Sequence, residues 1–197
     1  MLQEAPPRPD LTMTPAAAKA VRLAYRGAGV ILEYGSGGST VLAGDFGKTI
    51  FSVECDPAWA AKMQAWFDAS PPKGRVTLHQ VDIGPVGEWA HPLDDSRAEA
   101  WPDYPQSVWD RADFLQPDVV LIDGRFRIAC LLTVAQRTKA PVTVLFDDYA
   151  SRPAYHRVEA LFRPLAMHGR MAQFQIDPLT TPLPQADWID ASFRQPL

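Results

Sequence analysis

VILEYGSGGSTVLAGDFGKTIFSVECD, residues 30–56, is the stretch on which the reading of this chain turns. It opens on an apolar run, Val30-Ile31-Leu32, and passes Glu33 into a glycine-rich turn of Gly35, Ser36, Gly37 and Gly38. A short helical segment near 40–44 follows, then a second apolar run that ends at Glu54. Strand, tight loop, helix, strand, acid is the order in which an open α/β sheet builds a nucleotide-sized crevice. The glycines let backbone approach a ligand, and the acid at the second strand tip accepts hydrogen bonds from ribose hydroxyls.

The flanking sequence extends the same alternation. Thr14-Pro15 signals a helix start, with a capping hydroxyl and a proline already at helical φ, and Ala17, Val21, Ala24 and Tyr25 then share a face before Gly27. Asp56-Pro57 repeats the signal and predicts a helix to about Ala69, in which Trp59, Met63 and Trp66-Phe67 form an apolar stripe read as core. Val76 to Val81 alternates polar and apolar residues, as a strand near a sheet edge does. Val119 to Ile122 is the continuous apolar run of a central strand, followed by a helix over about 126–139, a strand over 142–146 and a helix over about 153–163. Met171 to Ile176 and Asp187 to Phe193 are expected to pair as closing strands. The pattern predicts an α/β class, a doubly wound, mostly parallel seven-stranded sheet with helices on both faces. Residues 84–115 are irregular and rich in tryptophan, proline and acids. They read as an insertion over the sheet's working edge, with a helix near 105–115, and as an exposed surface that could serve a homodimer.

Length and composition bound the function. A chain of 197 residues is most simply one domain, and 47% hydrophobic with 21% charged residues is ordinary for a soluble globular protein. No apolar stretch approaches the roughly 20 residues that cross a bilayer, and MLQEAPPRPD lacks the basic and apolar regions of a secretory signal, so a cytoplasmic protein is expected. A net charge of −4 without a long basic run argues against bulk nucleic-acid binding and leaves a small molecule as the expected partner. Cys55 and Cys130 lie in apolar segments outside any CxxC spacing and read as buried free thiols.

Glu33, two residues before the first glycine, and the absence of a third glycine in G-x-G-x-x-G set this turn apart from a dinucleotide fingerprint. Here the chain resembles the class I S-adenosylmethionine (SAM) dependent methyltransferases, whose first motif has the form acid-x-Gly-x-Gly-x-Gly. In this sequence it reads Glu33-Tyr34-Gly35-Ser36-Gly37-Gly38-Ser39, with Ser39 in place of the last glycine. The resemblance covers about residues 28–177 and implies a Rossmann-like methyltransferase fold. It implies SAM contacts from Glu33, Gly35, Ser36, Gly37, Gly38 and Ser39, a ribose contact from Glu54, and an adenine contact from Asp82 with the Ile83 N–H. Ser39 and Thr40 could equally cap the short helix, and Asp82 could be a surface turn residue.

Asp123 ends the fourth strand and Asp147-Asp148 end the fifth, so three carboxylates should meet on the rim that carries the glycine turn. Crowded carboxylates raise one another's pKa unless a cation lies between them, and a hard oxygen set suits Mg²⁺. The segment DDYASRPAYHRVEALF looks like the corresponding part of catechol-type and macrocin-type O-methyltransferases, which implies Mg²⁺ on Asp123, Asp147 and Asp148, holding a substrate hydroxyl for methyl transfer. The alternative is that one aspartate caps a helix and another pairs with arginine. Arg125, Arg127, Arg152 and Arg157 either bind a carboxylate or phosphate of the substrate or neutralise these acids. His156 is a candidate general base, and Tyr149 a candidate pocket residue. The expected function is SAM-dependent O-methyl transfer, Mg²⁺-assisted, to a hydroxyl of a small molecule that is anionic or sugar-containing. The rival readings are a catalytically silent SAM-binding or interaction domain and an NAD-dependent oxidoreductase.

Overall fold

The structure, a computed structural model, describes residues 7–182 and 185–196. Residues 1–6, most of the stretch read above for a leader, lie outside them. Seven strands form one sheet: β1 (Val30–Tyr34), β2 (Thr49–Glu54), β3 (Arg75–Gln80), β4 (Val119–Ile122), β5 (Val142–Phe146), β6 (Ala166–His168) and β7 (Met171–Ile176). Their order is β3-β2-β1-β4-β5-β7-β6. The first five run parallel, and β7 is antiparallel to both β5 and β6. The chain steps outward from β1 to the β3 edge and then returns to lay β4 on the other side of β1. Connections therefore diverge above the β1 and β4 tips, which is where an open sheet offers a crevice.

The α-helices are α1 (Pro15–Gly27), α2 (Gly38–Asp45), α3 (Pro57–Ala69), α4 (Asp103–Gln106), α5 (Arg127–Arg137) and α6 (Ala186–Phe193), joined by short 3₁₀ segments. The two caps read from sequence are formed: Thr14 Oγ1 accepts from the Ala17 N–H at 3.4 Å, and Asp56 Oδ1 from Ala58 and Trp59 at 2.8 and 3.1 Å. Alternation along the strands sorts the core into two layers. Ile31, Ile50, Val119, Leu121 and Leu145 pack with α1, while Leu32, Phe51, Val53, Val120 and Ile122 pack with α5 and the 101–109 segment. Both sulfurs are buried and free, and no described helix is long and apolar enough to cross a membrane.

Three expectations are corrected. Residues 187–193 form α6, not a strand; Ile189, Ser192 and Phe193 are buried at helical spacing, and the seventh strand is Ala166–His168 instead. The segment Pro153–Ala160 is a 3₁₀ helix with Tyr155 and Val158 buried three residues apart, the spacing of a three-residue turn. The helix near 105–115 is only α4 followed by a 3₁₀ turn over Ser107–Asp110. The insertion is also less exposed than its composition suggests. Trp101 and Trp109 are buried, donating to the Ile83 carbonyl and the Tyr34 hydroxyl, and of the insertion's tryptophans only Trp89 is largely exposed.

Candidate functional site

A cavity of about 850 Å³ opens above the carboxyl ends of the parallel strands. That is large enough for a drug-sized ligand. Its floor is the glycine turn. Gly35 has φ 99°, and a Cβ there would lie 2.8 Å from Gly124 backbone, so the turns after β1 and β4 can touch only as glycines. Gly37, by contrast, has open space within the cavity where a Cβ would stand, so a ligand can come close to its backbone, while its N–H donates to Thr40 Oγ1 at 2.9 Å. Gly38 answers a different demand. A Cβ there would run into the Asp10–Leu11 peptide, because residues 10–13 form a strap lying across the turn and lining the cavity.

Glu33 lies beneath this turn and does not line the cavity. Wholly buried, it accepts hydrogen bonds from the hydroxyls of Ser39, Thr40 and Ser52, the last at 2.7 Å, and from Tyr25 at 3.5 Å. Burial raises its pKa to about 7 against the pull of the three closer hydroxyls, and nearby Asp123 adds to the rise. Its expected role in touching SAM is therefore replaced by a positioning one. Ser39 occupies the motif's last glycine position with a hydroxyl turned to this acid, while the residue still borders the cavity.

Glu54 stands at the cavity wall. Its Oε1 accepts from the Cys55 and Asp56 N–H groups at 2.7 and 2.8 Å, and Oε2 from Ser36 N–H at 3.2 Å. Burial raises its pKa, and these three donors oppose the rise. Trp59, read from sequence as core, lines the cavity and donates from Nε1 to the Ser36 carbonyl at 2.8 Å. Asp82 and Ile83 are not among the lining residues. Asp82 is exposed, closing a turn to Gly84 N–H at 2.9 Å and pairing with Arg97 at 2.9 Å, while Ile83 is fully buried under the insertion. As placed, neither residue of this pair borders the cavity in which the adenine contact was expected. The wall on that side belongs to Cys55, Trp59, Trp89 and Ala90.

At the other end, carboxylate oxygens of Asp123, Asp147 and Asp148 lie within 4.8 Å of one another, as expected. Arginines answer them, which was one of the two sequence readings, and Arg170 joins those named there. Arg127 contacts Asp123 and Asp148 at 3.3 and 3.2 Å, Arg152 contacts Asp148 at 3.1 Å, and Arg170 reaches Asp147 at 3.0 Å and Asp148 at 2.9 Å. Arg127 also donates to the carbonyls of Gly124, Asp147 and Asp123 at 2.8–2.9 Å, tying the β4 and β5 tips together. A divalent ion would have to displace Arg170 and lie against the buried, permanently charged Arg127. As arranged, this donor set does not fit Mg²⁺, because guanidinium groups already supply the countercharge.

Asp123 and Asp148 line the cavity; Asp147 is fully buried behind them. The pKa of Asp123 is raised, first by burial and then by its two aspartate neighbours, with Arg127 opposing. His156 is outside the cavity, its Nε2 3.0 Å from the Tyr149 carbonyl, and is not placed to act as a base there. Tyr149 is buried away from the cavity with its hydroxyl 2.9 Å from Glu159, and Arg157 points outward over Trp188. Tyr104 and Arg170, which the sequence reading did not place at the site, both line it. The four described non-glycine residues with positive φ, Trp89, Ala90, Phe126 and Asp148, all lie on or beside this rim, where strained backbone tends to gather at functional sites.

A scan of protein-family models and a search of curated proteins return no match. Among solved structures, a methyltransferase-like protein from Silicibacter pomeroyi DSS-3 is 48% identical, with a TM-score of 0.90 over 96% of this chain and 99% of that one. A methyltransferase from Podospora anserina, bound to S-adenosylhomocysteine (SAH), superposes with a TM-score of 0.60 at 15% identity, covering 85% and 80% of the two chains. An O-methyltransferase from Bacillus cereus in complex with SAH gives 0.54 at 14% identity over 86% and 82%. At that identity these last two are a likeness of fold.

Proposed function

Because the chain belongs to the class I SAM-dependent methyltransferases, we propose that it passes the methyl group of SAM to an oxygen of a small molecule. The observation that carries the oxygen assignment is the Asp123 carboxylate, which borders the cavity with a raised pKa among acids matched by arginines. A hydroxyl needs to lose its proton as it attacks, and a carboxylate whose pKa is lifted toward neutrality is better matched to receive it.

In this reading the turn from Gly35 to Gly37 lets the donor lie close against its backbone, and Glu54 accepts from ribose hydroxyls. Bound SAM supplies an electrophilic methyl group on a sulfonium. The chain's own work is alignment and exclusion of water, to which the strap 10–13, Trp89 and Tyr104 contribute as they line the cavity. Asp123 receives the acceptor's proton, while Arg127 fixes that carboxylate by holding both strand tips. Orientation of this kind supplies much of the rate in a displacement that needs no covalent intermediate. The paired arginines favour transfer without a metal.

Thermal unfolding with SAM, SAH or NAD, each with Mg²⁺ or a chelator, tests the reading. SAH at about 100 times its Kd should add about 2.7 kcal/mol to stability. A response to NAD and none to SAH would overturn it. The Asp123→Asn variant should keep SAH binding and lose turnover of hydroxyl acceptors; undiminished turnover removes Asp123 as the base.

A further inference from the structure

The charges at the β4–β5 end of the cavity do not cancel. Asp123, Asp147 and Asp148 are answered one for one by Arg127, Arg152 and Arg170. Arg125 is left over. It lines the same cavity and is only 8% exposed, yet among the described residues its guanidinium makes no ion pair or hydrogen bond, and its Nε is buried with no partner. Only its backbone is engaged, the N–H with the Tyr104 hydroxyl at 3.3 Å and the carbonyl with the Cys130 thiol at 3.4 Å. The cavity's other acids, Asp10, Glu54, Asp56 and Glu88, form no ion pair with it among the described residues. Removing a guanidinium from water without a counter-ion is costly, and the neighbouring cations Arg127 and Arg152 add to that cost. A protein keeps such a group where a ligand completes it.

We propose that Arg125 receives an oxyanion, a carboxylate or phosphate, carried by the methyl acceptor, so that the acceptor is a hydroxy acid or a phosphorylated alcohol. This rests on the methyl-transfer reading above. The planar fork of a guanidinium matches either anion through two parallel hydrogen bonds, and an arginine already saturated, as Arg127 is, cannot offer them. Asp123, two residues earlier, faces the same cavity, so one small acceptor can place its anion on Arg125 and its hydroxyl at the carboxylate. The first turn of α5 carries no acidic residue, so nothing in that turn competes for the guanidinium.

The test uses inorganic phosphate as the probe and chloride at equal ionic strength as the control, with thermal unfolding read with and without saturating SAH. For the unaltered protein, phosphate should raise the melting temperature by several degrees over chloride, and equally with SAH bound. Arg125→Gln should melt higher than the parent without ligand, lose the phosphate response and keep its SAH affinity within about twofold. Arg125→Lys, which retains the charge without the fork, should respond only weakly to phosphate. Absence of a phosphate response in the unaltered protein, a measurement that needs no variant, overturns the inference while an intact SAH response leaves the methyl-transfer reading standing. Competition between phosphate and SAH, or a loss of SAH affinity beyond about tenfold in Arg125→Gln, also overturns it by assigning Arg125 to the donor's carboxylate. If SAH gives no response at all, the methyl-transfer reading falls, and the acceptor assignment falls with it.

Discussion

Replacing Glu33 by glutamine separates the acid's two roles, support of the glycine turn and contact with ligand. The carboxyl is fully buried, and its pKa rises from 4.5 to about 7 on folding. Below about pH 4.5 both folded and unfolded chains hold the proton, and the group contributes no difference. Between that value and about 7 the unfolded chain releases the proton while the folded one keeps it, so stability falls as pH rises. Above about 7 both forms are ionised and the full penalty applies. A shift of this size corresponds to about 3 kcal/mol. Glutamine has the same shape and no titration, and the hydroxyls of Ser39, Thr40 and Ser52 can turn to serve either amide atom. Urea unfolding of parent and variant across pH 4.5 to 7.5 should therefore show the stability of Glu33→Gln gaining about 3 kcal/mol relative to the parent over that window. Acids remote from Glu33 cancel in the comparison, whereas Asp123, which adds to the rise, is coupled to it and contributes to the measured difference. Parallel profiles would refute the buried-acid account. Because Glu33 does not reach the cavity, SAH affinity should change by less than about threefold, and a larger loss would show that the acid acts on the ligand.

Gly38→Ala forces the Asp10–Leu11 peptide away from the turn, which should cost about 1–3 kcal/mol and speed proteolysis ahead of residue 15; protection equal to the parent's would mean the strap does not rest there. Arg127→Met leaves Asp123 and Asp148 short of countercharge and three carbonyls without donors, so calorimetry should report a loss of about 3–5 kcal/mol, with less than about 1 counting against the clamp. Glu54→Gln should weaken SAH binding by about 1.5–3 kcal/mol in titration calorimetry, and equal affinity would mean the ribose site is misassigned. Added Mg²⁺ should leave the melting temperature unchanged; a rise that disappears in Asp147→Asn would restore the metal reading.

Much of the fold was legible in the sequence because its signals are local. Five of the parallel-sheet segments, the two proline-led helices and the glycine turn each announce themselves within a dozen residues, through an apolar run, a cap or a breaker. Where two periods fit the same residues, local reading failed. Asp187 to Phe193 alternates well enough for a strand, but burial of Ile189, Ser192 and Phe193 against the α5 side makes it a helix. Composition misled in the insertion too, since Trp101 and Trp109 among prolines and acids look like surface until Ile83 and Tyr34 are found beneath them.

The candidate site divides along the same line. The sequence by itself determined that a glycine turn, Glu54 and three strand-end aspartates would share a rim, because parallel strands deliver their carboxyl ends to one side. Only the tertiary structure decided what those groups face. Arg170 lies 23 residues from Asp147 and meets it because β7 returns antiparallel beside β5. Gly38 answers to a strap 28 residues earlier, and the Arg125 guanidinium, unlike that of Arg127, has no partner among the described residues. Charge compensation and close approach depend on distance in space, and spacing along the chain carries no record of them.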